Sequence, residues 1–355
     1  MYTTPPPRRR GFLIALATLN QCFLRFLKTQ TPNIISLKKP LLPLICLLLL
    51  ISCKKNHDGD TPAPKEDSLG TGWTKTSGLT QGYVSDIFFV GNTGFFVADG
   101  KIFRSINGGD SWQIVYQSPS TWINIGMGST DNAGFIWPGN KTQILFTTNG
   151  GASFDSTDLG SNSFNDIFYV SPQVAYANNG KLWKTVNGGK NWTNIYTFPG
   201  GVQQMSVLFF INEQNGWAVA NGVLYKTTSS GTSWTPVTNH GITSGGAENS
   251  LFFTDINTGF FGNETTIKKT TDGGANWSTV YATSVSDGYY HNLHFINSQL
   301  GYLTDKNLIM KTTDGGVTWT REVTLKDNYA VELHFTDANH GWAGTNGGLI
   351  LKFVK

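Results

Sequence analysis

Thr312-Thr-Asp-Gly-Gly-Val-Thr-Trp319 is the clearest of six copies of one eight-residue turn phrase in this 355-residue chain. Each copy has Ser or Thr first, Asp, Asn or Ser third, Gly fifth and an aromatic residue eighth. The third and eighth positions of the six copies are Asn107 and Trp112, Asn149 and Phe154, Asn187 and Trp192, Ser229 and Trp234, Asp272 and Trp277, and Asp314 and Trp319. Successive closing aromatics are 38 to 43 residues apart. A fixed period of this size predicts a repeat architecture.

The residue types of the turn phrase predict a tight turn between two strands. An Asp or Asn side chain bonds its own backbone two residues on, and glycine adopts positive φ without steric cost. The two strands joined by a turn phrase alternate along the chain with a second pair of strands. An example of the second pair is Asp86-Ile-Phe-Phe-Val-Gly-Asn-Thr-Gly-Phe-Phe96, where a polar turn separates an apolar strand from an aromatic one. Each repeat therefore contains four predicted strands.

The two ends of the repeat region complement each other. Seven copies of this second strand pair can be aligned, one more than the six turn phrases. One aligned position holds a glycine in six copies and an alanine in the other: Gly94, Gly134, Ala175, Gly216, Gly259, Gly301 and Gly341. The last repeat ends in the strand Gly348–Phe353 with no turn phrase after it, whereas Gly72-Trp73 looks like the tail of a phrase without its strand. We therefore predict an all-β, seven-bladed β-propeller over residues 69–355, closed by pairing of the N- and C-terminal strands. A linear β-solenoid is the alternative.

An export signal precedes the repeats. Lys38-Lys39 is followed by an apolar stretch over 41–51, which is too short to span a bilayer but suits a signal peptide. Leu50-Ile51-Ser52-Cys53 resembles a bacterial lipobox. We expect residues 1–52 to be a signal peptide with an atypical N-terminal extension, Cys53 to be lipidated, and 53–68 to be a flexible tether. The chain would then lie in the bacterial cell envelope, on the periplasmic or outer-membrane side. An ordinary secretory signal is the alternative, and Arg9-Arg10 leaves a twin-arginine route open.

Charge and cysteine content limit the possible partners. Seven of the 26 basic residues precede Cys53 and all 23 acidic residues follow it, so the processed chain would be acidic. We therefore expect no nucleic-acid partner. The three cysteines are Cys22, Cys46 and Cys53, so the repeats contain neither a disulfide nor a thiolate metal site. We expect a monomer without cofactor or metal.

The turn phrases resemble the Asp-box, or BNR, motif. That motif is found in sialidases, xyloglucan-cleaving glycosidases, sortilin-type receptors and photosystem II assembly factors, and is structural in all of them. The pattern of Ile/Leu-x-Lys-Thr-Thr-Asp-Gly-Gly-x-x-Trp in one predicted ring is most similar to the photosystem II stability/assembly factor type. This resemblance implies a non-enzymatic scaffold that binds a protein partner.

Enzymatic alternatives are weaker. Sialidases hold their substrate carboxylate with three arginines, whereas only Arg104 and Arg321 follow Cys53. Xyloglucanase-like enzymes place paired acids between two propellers, and one propeller is predicted here. A glycan-binding ring, or a two-carboxylate glycosidase on a single ring, stays open as the alternative. We predict no catalytic residue. His294 and His334 take a repeat position held elsewhere by phenylalanine, so we interpret them as residues that fill space between blades.

The candidate binding site is the mouth of the ring. In propellers the innermost strands begin near one opening of the central channel, where ligands often bind. The residues expected there are Asp86, Trp122, Asp166, Glu248, His291 and Glu332. The alternative is that these are ordinary solvated residues at strand starts.

Overall fold

The computed structural model describes residues 66–76, 82–118, 123–127, 134–138, 143–159, 164, 166–199, 205–238, 250–262, 266–282 and 292–355. The chain divides into two units, 1–62 and 63–355, and all described residues lie in the second. Every regular element in these ranges is a β-strand. None of the described residues forms a helix long and apolar enough to cross a membrane.

The strands are short, as expected for four strands in each repeat of about forty residues. In chain order they are β1 (Ser68–Leu69), β2 (Trp73–Lys75), β3 (Val84–Val90), β4 (Thr93–Ala98), β5 (Lys101–Ser105), β6 (Gln113–Gln117), β7 (Ile123–Met127), β8 (Gly134–Pro138), β9 (Gln143–Thr147), β10 (Asp155–Asp158), β11 (Asp166–Tyr169), β12 (Ala175–Asn178), β13 (Leu182–Thr185), β14 (Thr193–Tyr196), β15 (Met205–Phe210), β16 (Gly216–Ala220), β17 (Val223–Thr227), β18 (Thr235–Pro236), β19 (Ser250–Phe253), β20 (Gly259–Gly262), β21 (Thr266–Thr270), β22 (Ser278–Ala282), β23 (Leu293–Phe295), β24 (Gly301–Asp305), β25 (Leu308–Thr312), β26 (Thr320–Thr324), β27 (Ala330–Phe335), β28 (His340–Thr345) and β29 (Ile350–Val354).

Consecutive strands form antiparallel meanders, and the described residues contain seven such sheets. Sheet 1 is β3–β6, sheet 2 is β7–β10, sheet 3 is β11–β14, sheet 4 is β15–β18 and sheet 5 is β19–β22. Sheet 6 is β23–β26 with β1 added, and sheet 7 is β27–β29 with β2 added. The first strand of each sheet contacts the first strand of the next, and β27 contacts β3, so these seven first strands form a cycle. We call them the inner strands. The fold is an all-β β-propeller, which confirms that part of the prediction.

The N-terminal strands complete the last two sheets. Strand β2 pairs with β29, with Trp73 opposite Phe353 and Lys75 opposite Leu351. The pairing of the two chain ends agrees with the complementary half-repeats in the sequence. Strand β1 adds a fifth strand to sheet 6, outside β26. This strand was not expected from the repeat pattern.

A repeated hydrogen-bond pattern holds each turn phrase. In the last copy, the Thr312 hydroxyl donates to Asp314 Oδ1 (2.8 Å) and accepts from Gly316 N (2.8 Å). Asp314 Oδ1 also accepts from Thr318 N (2.9 Å). Asn or Ser accepts the equivalent backbone bond in four other copies. The glycines at positions four and five of this copy have φ of 70° and 86°. The Asp residues therefore stabilise turns, as the sequence analysis interpreted them.

In the core between sheets, a phenylalanine of the inner strand lies between a glycine of its own sheet and an aromatic ring of the preceding sheet. Phe253 lies against Gly259 of its own sheet, where an added Cβ would come within 2.5 Å of the ring. Its other face stacks on Trp217 of the preceding sheet, with ring centroids 3.6 Å apart. The same stacking joins Phe89 to Trp342, Phe210 to Tyr176, Phe295 to Phe260, and Phe335 to Tyr302. The recurrent glycine is therefore required because an aromatic ring occupies the space of a side chain.

Polar contacts tie sheets 4, 5 and 7 to the turn phrase of the sheet that follows each of them around the ring. Trp217 Nε1 donates to Gly273 O (3.0 Å), and Trp342 Nε1 donates to Gly108 O (3.1 Å). Lys269 Nζ lies over the Phe260 ring and donates to the carbonyl of the following phrase, Gly315 O (2.7 Å). The turn phrases thus lie at the sheet interfaces and hold neighbouring sheets together.

Candidate functional site

The strand pairings divide the ring into two faces. Val84, the first residue of β3, pairs with Ala98, the last residue of β4, and Ala98 pairs with Lys101 of β5. Inner-strand starts and β4–β5-type hairpins therefore share one face, which we call the mouth face. The turn phrases contact the β3–β4-type hairpins, as in the bond from Gly108 N to Asn92 O (2.9 Å), and define the opposite turn-phrase face.

Two predicted site residues, Asp86 and Glu332, are bonded across sheet boundaries. Asp86 Oδ2 accepts from Ile125 N of sheet 2 (3.3 Å), and Glu332 Oε2 accepts from Asn292 Nδ2 of sheet 6 (2.6 Å). Both side chains are partly buried. These carboxylates join neighbouring inner strands near the points where the strands begin, on the mouth face. Their part in binding stays a prediction.

The other predicted mouth residues are not brought together by the described part of the chain. Trp122, Glu248 and His291 lie outside the described residues, as does Cys53. Asp166 begins β11 and pairs with Asn178, but its side chain also lies outside what the structure describes. Their membership of a site stays a prediction.

A belt of aromatic rings, with one ring from each of six inner strands, crosses from sheet to sheet just beyond the carboxylates. Neighbouring ring centroids are 4.3 to 5.6 Å apart. The six members of this belt, in order, are Phe168, Phe209, Phe252, His294, His334 and Phe88. The corresponding position of β7 holds Gly126. Each ring packs against the ring of at least one neighbouring sheet. The belt therefore stabilises the arrangement of the inner strands.

The two histidines of the belt are neutral groups that link sheets. His334 Nε2 lies 2.8 Å from Phe89 O in sheet 1, close enough for the ring N–H to donate to that carbonyl. Burial lowers the pKa of His294 to about 4. Burial and the neighbouring His294 together lower the pKa of His334 to about 3. No group of three or more His, Cys, Asp or Glu within the described ranges is placed to hold a metal ion. The interpretation of both histidines as interior packing residues agrees with these contacts.

The described carboxyl groups with shifted pKa values have structural partners. Hydrogen bonds from Asn276 and Thr318 lower the pKa values of Asp272 and Asp314, respectively, to about 2. In Asp255 and Asp337 burial raises the pKa, but hydrogen bonds within their hairpins outweigh burial and the net shift is downward. A carboxyl that acts as a general acid needs a raised pKa, so these four groups are suited to holding turns.

A cluster that was not predicted from the sequence lies at the mouth face, beside the first described residues of the N-terminal segment. Asp67 forms an ion pair with Lys75, and its Oδ1 accepts from Lys326 N (2.6 Å). Burial would raise the pKa of Asp67, but these hydrogen bonds and the charges of Lys75 and Lys326 lower it. In the sequence Asp67 looks like any other residue of a polar tether, and the pairing that places it is between distant segments.

Comparisons with known proteins identify the fold. No protein-family model matches the sequence, and a search of curated proteins finds no significant relative. Among solved structures, YCF48 bound to a D1 peptide is similar over 81% of this chain and 100% of its own, with 18% identity and a TM-score of 0.65. YCF48 from Cyanidioschyzon merolae is similar over 80% and 98%, with 16% identity and a TM-score of 0.62.

A glycosidase also shares the fold. The GH74 xyloglucanase from Xanthomonas campestris is similar over 78% of this chain but only 52% of its own, with 15% identity and a TM-score of 0.63. This chain therefore spans about half the length of that enzyme. At these identities, the similarity to YCF48 and to the xyloglucanase shows the β-propeller fold alone.

Proposed function

We propose that this chain is a monomeric, lipid-anchored protein of the bacterial cell envelope whose propeller binds a protein partner without catalysing a reaction. In this proposal the seven sheets are the blades of one ring, the turn phrases are Asp-box repeats, and the mouth face carries the binding surface. The cyclic contacts of the inner strands and the pairing of β2 with β29 support a seven-bladed closed ring.

The extent of the structural similarity carries the proposal for a protein partner. The chain matches the full length of a YCF48 structure that holds a D1 peptide. It matches only about half of the xyloglucanase. A single ring of this size is therefore sufficient, in a protein of the same fold, to bind a peptide.

The mouth carboxylates also favour binding over hydrolysis. Glycoside hydrolysis needs two carboxyl groups facing a substrate, one of them able to give up a proton. Asp86 and Glu332 instead each accept a hydrogen bond from the neighbouring sheet. Moving either side chain toward a substrate would break a contact between inner strands.

The anchor rests on the sequence around Cys53. The order of Lys38-Lys39, an apolar stretch and Leu50-Ile51-Ser52-Cys53 supports processing at Cys53. Cys53→Ala is expected to release the chain from the membrane fraction, and globomycin is expected to block its processing. Continued membrane association of Cys53→Ala would contradict the anchor.

A carbohydrate-binding or glycosidase-like ring is the second candidate, favoured by the similarity to the xyloglucanase. The purified full chain is incubated with a panel of envelope and plant polysaccharides, and released reducing sugar is measured. We expect no release. Release that is lost in Asp86→Asn or Glu332→Gln, while both variants stay folded, would overturn the scaffold proposal in favour of this alternative.

A further inference from the structure

We infer that His294 and His334 form an acid-sensitive latch on sheet 7, the sheet in which the two chain ends meet. While both imidazoles are neutral they hold sheet 7 between sheets 6 and 1, and their protonation opens the ring at this sheet. We call the two residues the histidine latch. The response concerns closure of the ring and goes beyond the binding of a partner.

The histidine latch lies at both boundaries of sheet 7. His294 belongs to β23 of sheet 6, and its hydrogen-bond partner is the backbone of Phe335 in sheet 7. His334 belongs to β27 of sheet 7, and its Nε2 lies 2.8 Å from Phe89 O in sheet 1. Phe335 and Phe89 are equivalent, since each stacks on an aromatic ring of the preceding sheet. The same contact, from an imidazole to the backbone of this phenylalanine, thus occurs at two successive boundaries.

The belt differs at the other sheet boundaries where its ring contacts are described. Phe168 meets Phe209 between sheets 3 and 4, and Phe209 meets Phe252 between sheets 4 and 5, with centroids 5.4 and 5.5 Å apart. A phenylalanine side chain has no N–H or O–H to donate. Phe252 meets His294 between sheets 5 and 6, but the hydrogen bond of that imidazole goes to sheet 7. The two boundaries with an imidazole hydrogen bond are therefore those that flank sheet 7.

Sheet 7 is also where non-covalent contacts close the ring. Its strands β27–β29 follow sheet 6 along the chain, whereas its outer strand β2 precedes sheet 1. Three residue pairs join β2 to β29, and β27 contacts β3 of sheet 1. If both contacts are lost, no backbone link joins β27–β29 to sheet 1. The bond from His334 to Phe89 O crosses this boundary.

A second proton on either imidazole is unfavourable in the closed ring. The two histidine rings meet edge-on with centroids 5.1 Å apart, and Phe252 and Phe88 lie beyond them at 5.6 and 4.3 Å. Burial lowers the pKa of His294, and burial together with the neighbouring His294 lowers the pKa of His334. A charged imidazole therefore favours an open ring, in which water can solvate it.

The other titratable groups on the strands packed against β23 and β27 have partners of their own. These strands are β3, β19, β24 and β28. Among the carboxylates, Asp86 accepts from Ile125 N, Glu332 from Asn292 and Asp305 from the Tyr281 hydroxyl. Tyr302 of β24 stacks on Phe335, and His340 of β28 pairs with Asp337 at the turn-phrase face. Strand β19 has no titratable side chain.

Hydrogen exchange of the full chain at pH 7 and pH 5 tests the histidine latch. Rates are converted to protection factors, which removes the intrinsic pH dependence of amide exchange. The closure amides are those between β2 and β29, where Thr76 N donates to Ile350 O (2.9 Å) and Val354 N donates to Gly72 O (3.0 Å). These bonds are broken when β2 leaves β29.

Sheet 4 provides the reference amides. Its belt residue is Phe209, which has phenylalanine neighbours on both sides. Its strands β15–β18 are consecutive in the chain, so they form no closure between the chain ends. Exchange in β16 and β17 therefore reports unfolding of the ring as a whole.

We expect protection of the closure amides to fall by at least about tenfold more than protection in sheet 4 between pH 7 and pH 5. The ordinary pKa of histidine is 6.5, and the pKa values of both latch imidazoles are lower in the closed ring. The open ring therefore binds more protons at pH 5, which favours opening. An equal loss of protection in both sheets, or no loss in either, would overturn the latch.

Variants assign the effect to the two imidazoles. In His294→Phe/His334→Phe the closure amides and sheet 4 should respond equally to pH, because phenylalanine cannot take up a proton. His340→Asn is the matched control, since His340 is an exposed histidine of the same sheet, and it should keep the parent's difference. A difference that persists in the double variant, or disappears in His340→Asn, would assign the response to other groups and overturn the latch. The comparison within the parent chain stands whether or not each variant folds.

Discussion

Trp73 of the N-terminal strand β2 lies directly opposite Phe353 of the C-terminal strand β29, with their ring centroids 5.4 Å apart. Trp73 also meets Phe335 and Tyr302 edge-on and is only 4% exposed. The pair joins residues at the two ends of the ring, 280 positions apart in the sequence. Closure therefore depends on one large aromatic side chain that fills the interface between sheets 6 and 7.

Trp73→Ala should destabilise the ring by about 3–5 kcal/mol, because the substitution removes a buried indole from a packed interface. Denaturant unfolding measures the loss. Trp277→Ala is the matched control, since Trp277 is the half-buried turn-phrase tryptophan of sheet 5. In hydrogen exchange, Trp73→Ala should raise exchange over 66–76, whereas Trp277→Ala should not. Equal destabilisation with no change in exchange over 66–76 would contradict the role of Trp73 in closure.

Gly259→Ala should cost about 1–3 kcal/mol through overpacking, because the new Cβ would lie 2.5 Å from the Phe253 ring. Its φ is not in the left-handed region, so the cost comes from the ring rather than from the backbone. A second substitution, Phe253→Leu, should relieve part of the clash. A double-mutant cycle on unfolding free energies measures this coupling; purely additive effects would show that Phe253 is not the group that excludes a side chain.

The belt histidines should make the ring sensitive to mild acid. Their pKa values are about 4 and about 3 in the folded chain, below the ordinary value of 6.5. The unfolded chain therefore binds more protons between these values, and stability falls as the pH drops from about 6.5 toward 4. Above pH 6.5 their contribution is constant.

The double variant His294→Phe/His334→Phe should lose this acid sensitivity of the stability. It places phenylalanine, the residue of the equivalent position in other repeats, at both positions. Unfolding free energies at pH 7.5 and pH 5 should therefore differ less in the double variant than in the parent. An unchanged pH dependence would show that the two imidazoles already titrate normally in the folded chain.

Asp272 and Asp314 should affect stability only in strong acid. Hydrogen bonds lower both pKa values to about 2 in the folded chain, against 3.8 as the reference value. Their contribution is fully present above about pH 4 and is lost as the pH falls through 2. Asp272→Asn with Asp314→Asn should flatten the stability profile between pH 4 and pH 2 and leave stability at pH 7 nearly unchanged. Asn107 makes the equivalent bond in the first copy; a large loss at pH 7 would contradict this equivalence.

The sequence predicted the parts of the fold that depend on local chemistry. The residue types of the turn phrases predict their hydrogen bonds and positive φ values. The unpaired strand Gly348–Phe353 predicted the pairing with the segment of Trp73. The contacts of Asp67 were not predictable, because they depend on pairing between segments more than 250 residues apart. For the candidate site, the period predicted Asp86 and Glu332 as mouth residues, and their part in binding stays a prediction. Their bonds to Ile125 and Asn292 could not be predicted, because the period gives position but not the direction of a side chain.

We propose that the mouth face binds a protein partner without turnover. Affinity capture from cross-linked cells tests this with the full chain, a mouth-face variant and a matched variant of the opposite face. Tyr83→Ser and Val186→Ser suit this purpose, because both residues are exposed, at 55% and 66% respectively. We predict that a protein enriched by the parent chain is lost with Tyr83→Ser and retained with Val186→Ser. Equal recovery by both variants, or loss with Val186→Ser alone, would contradict the claim.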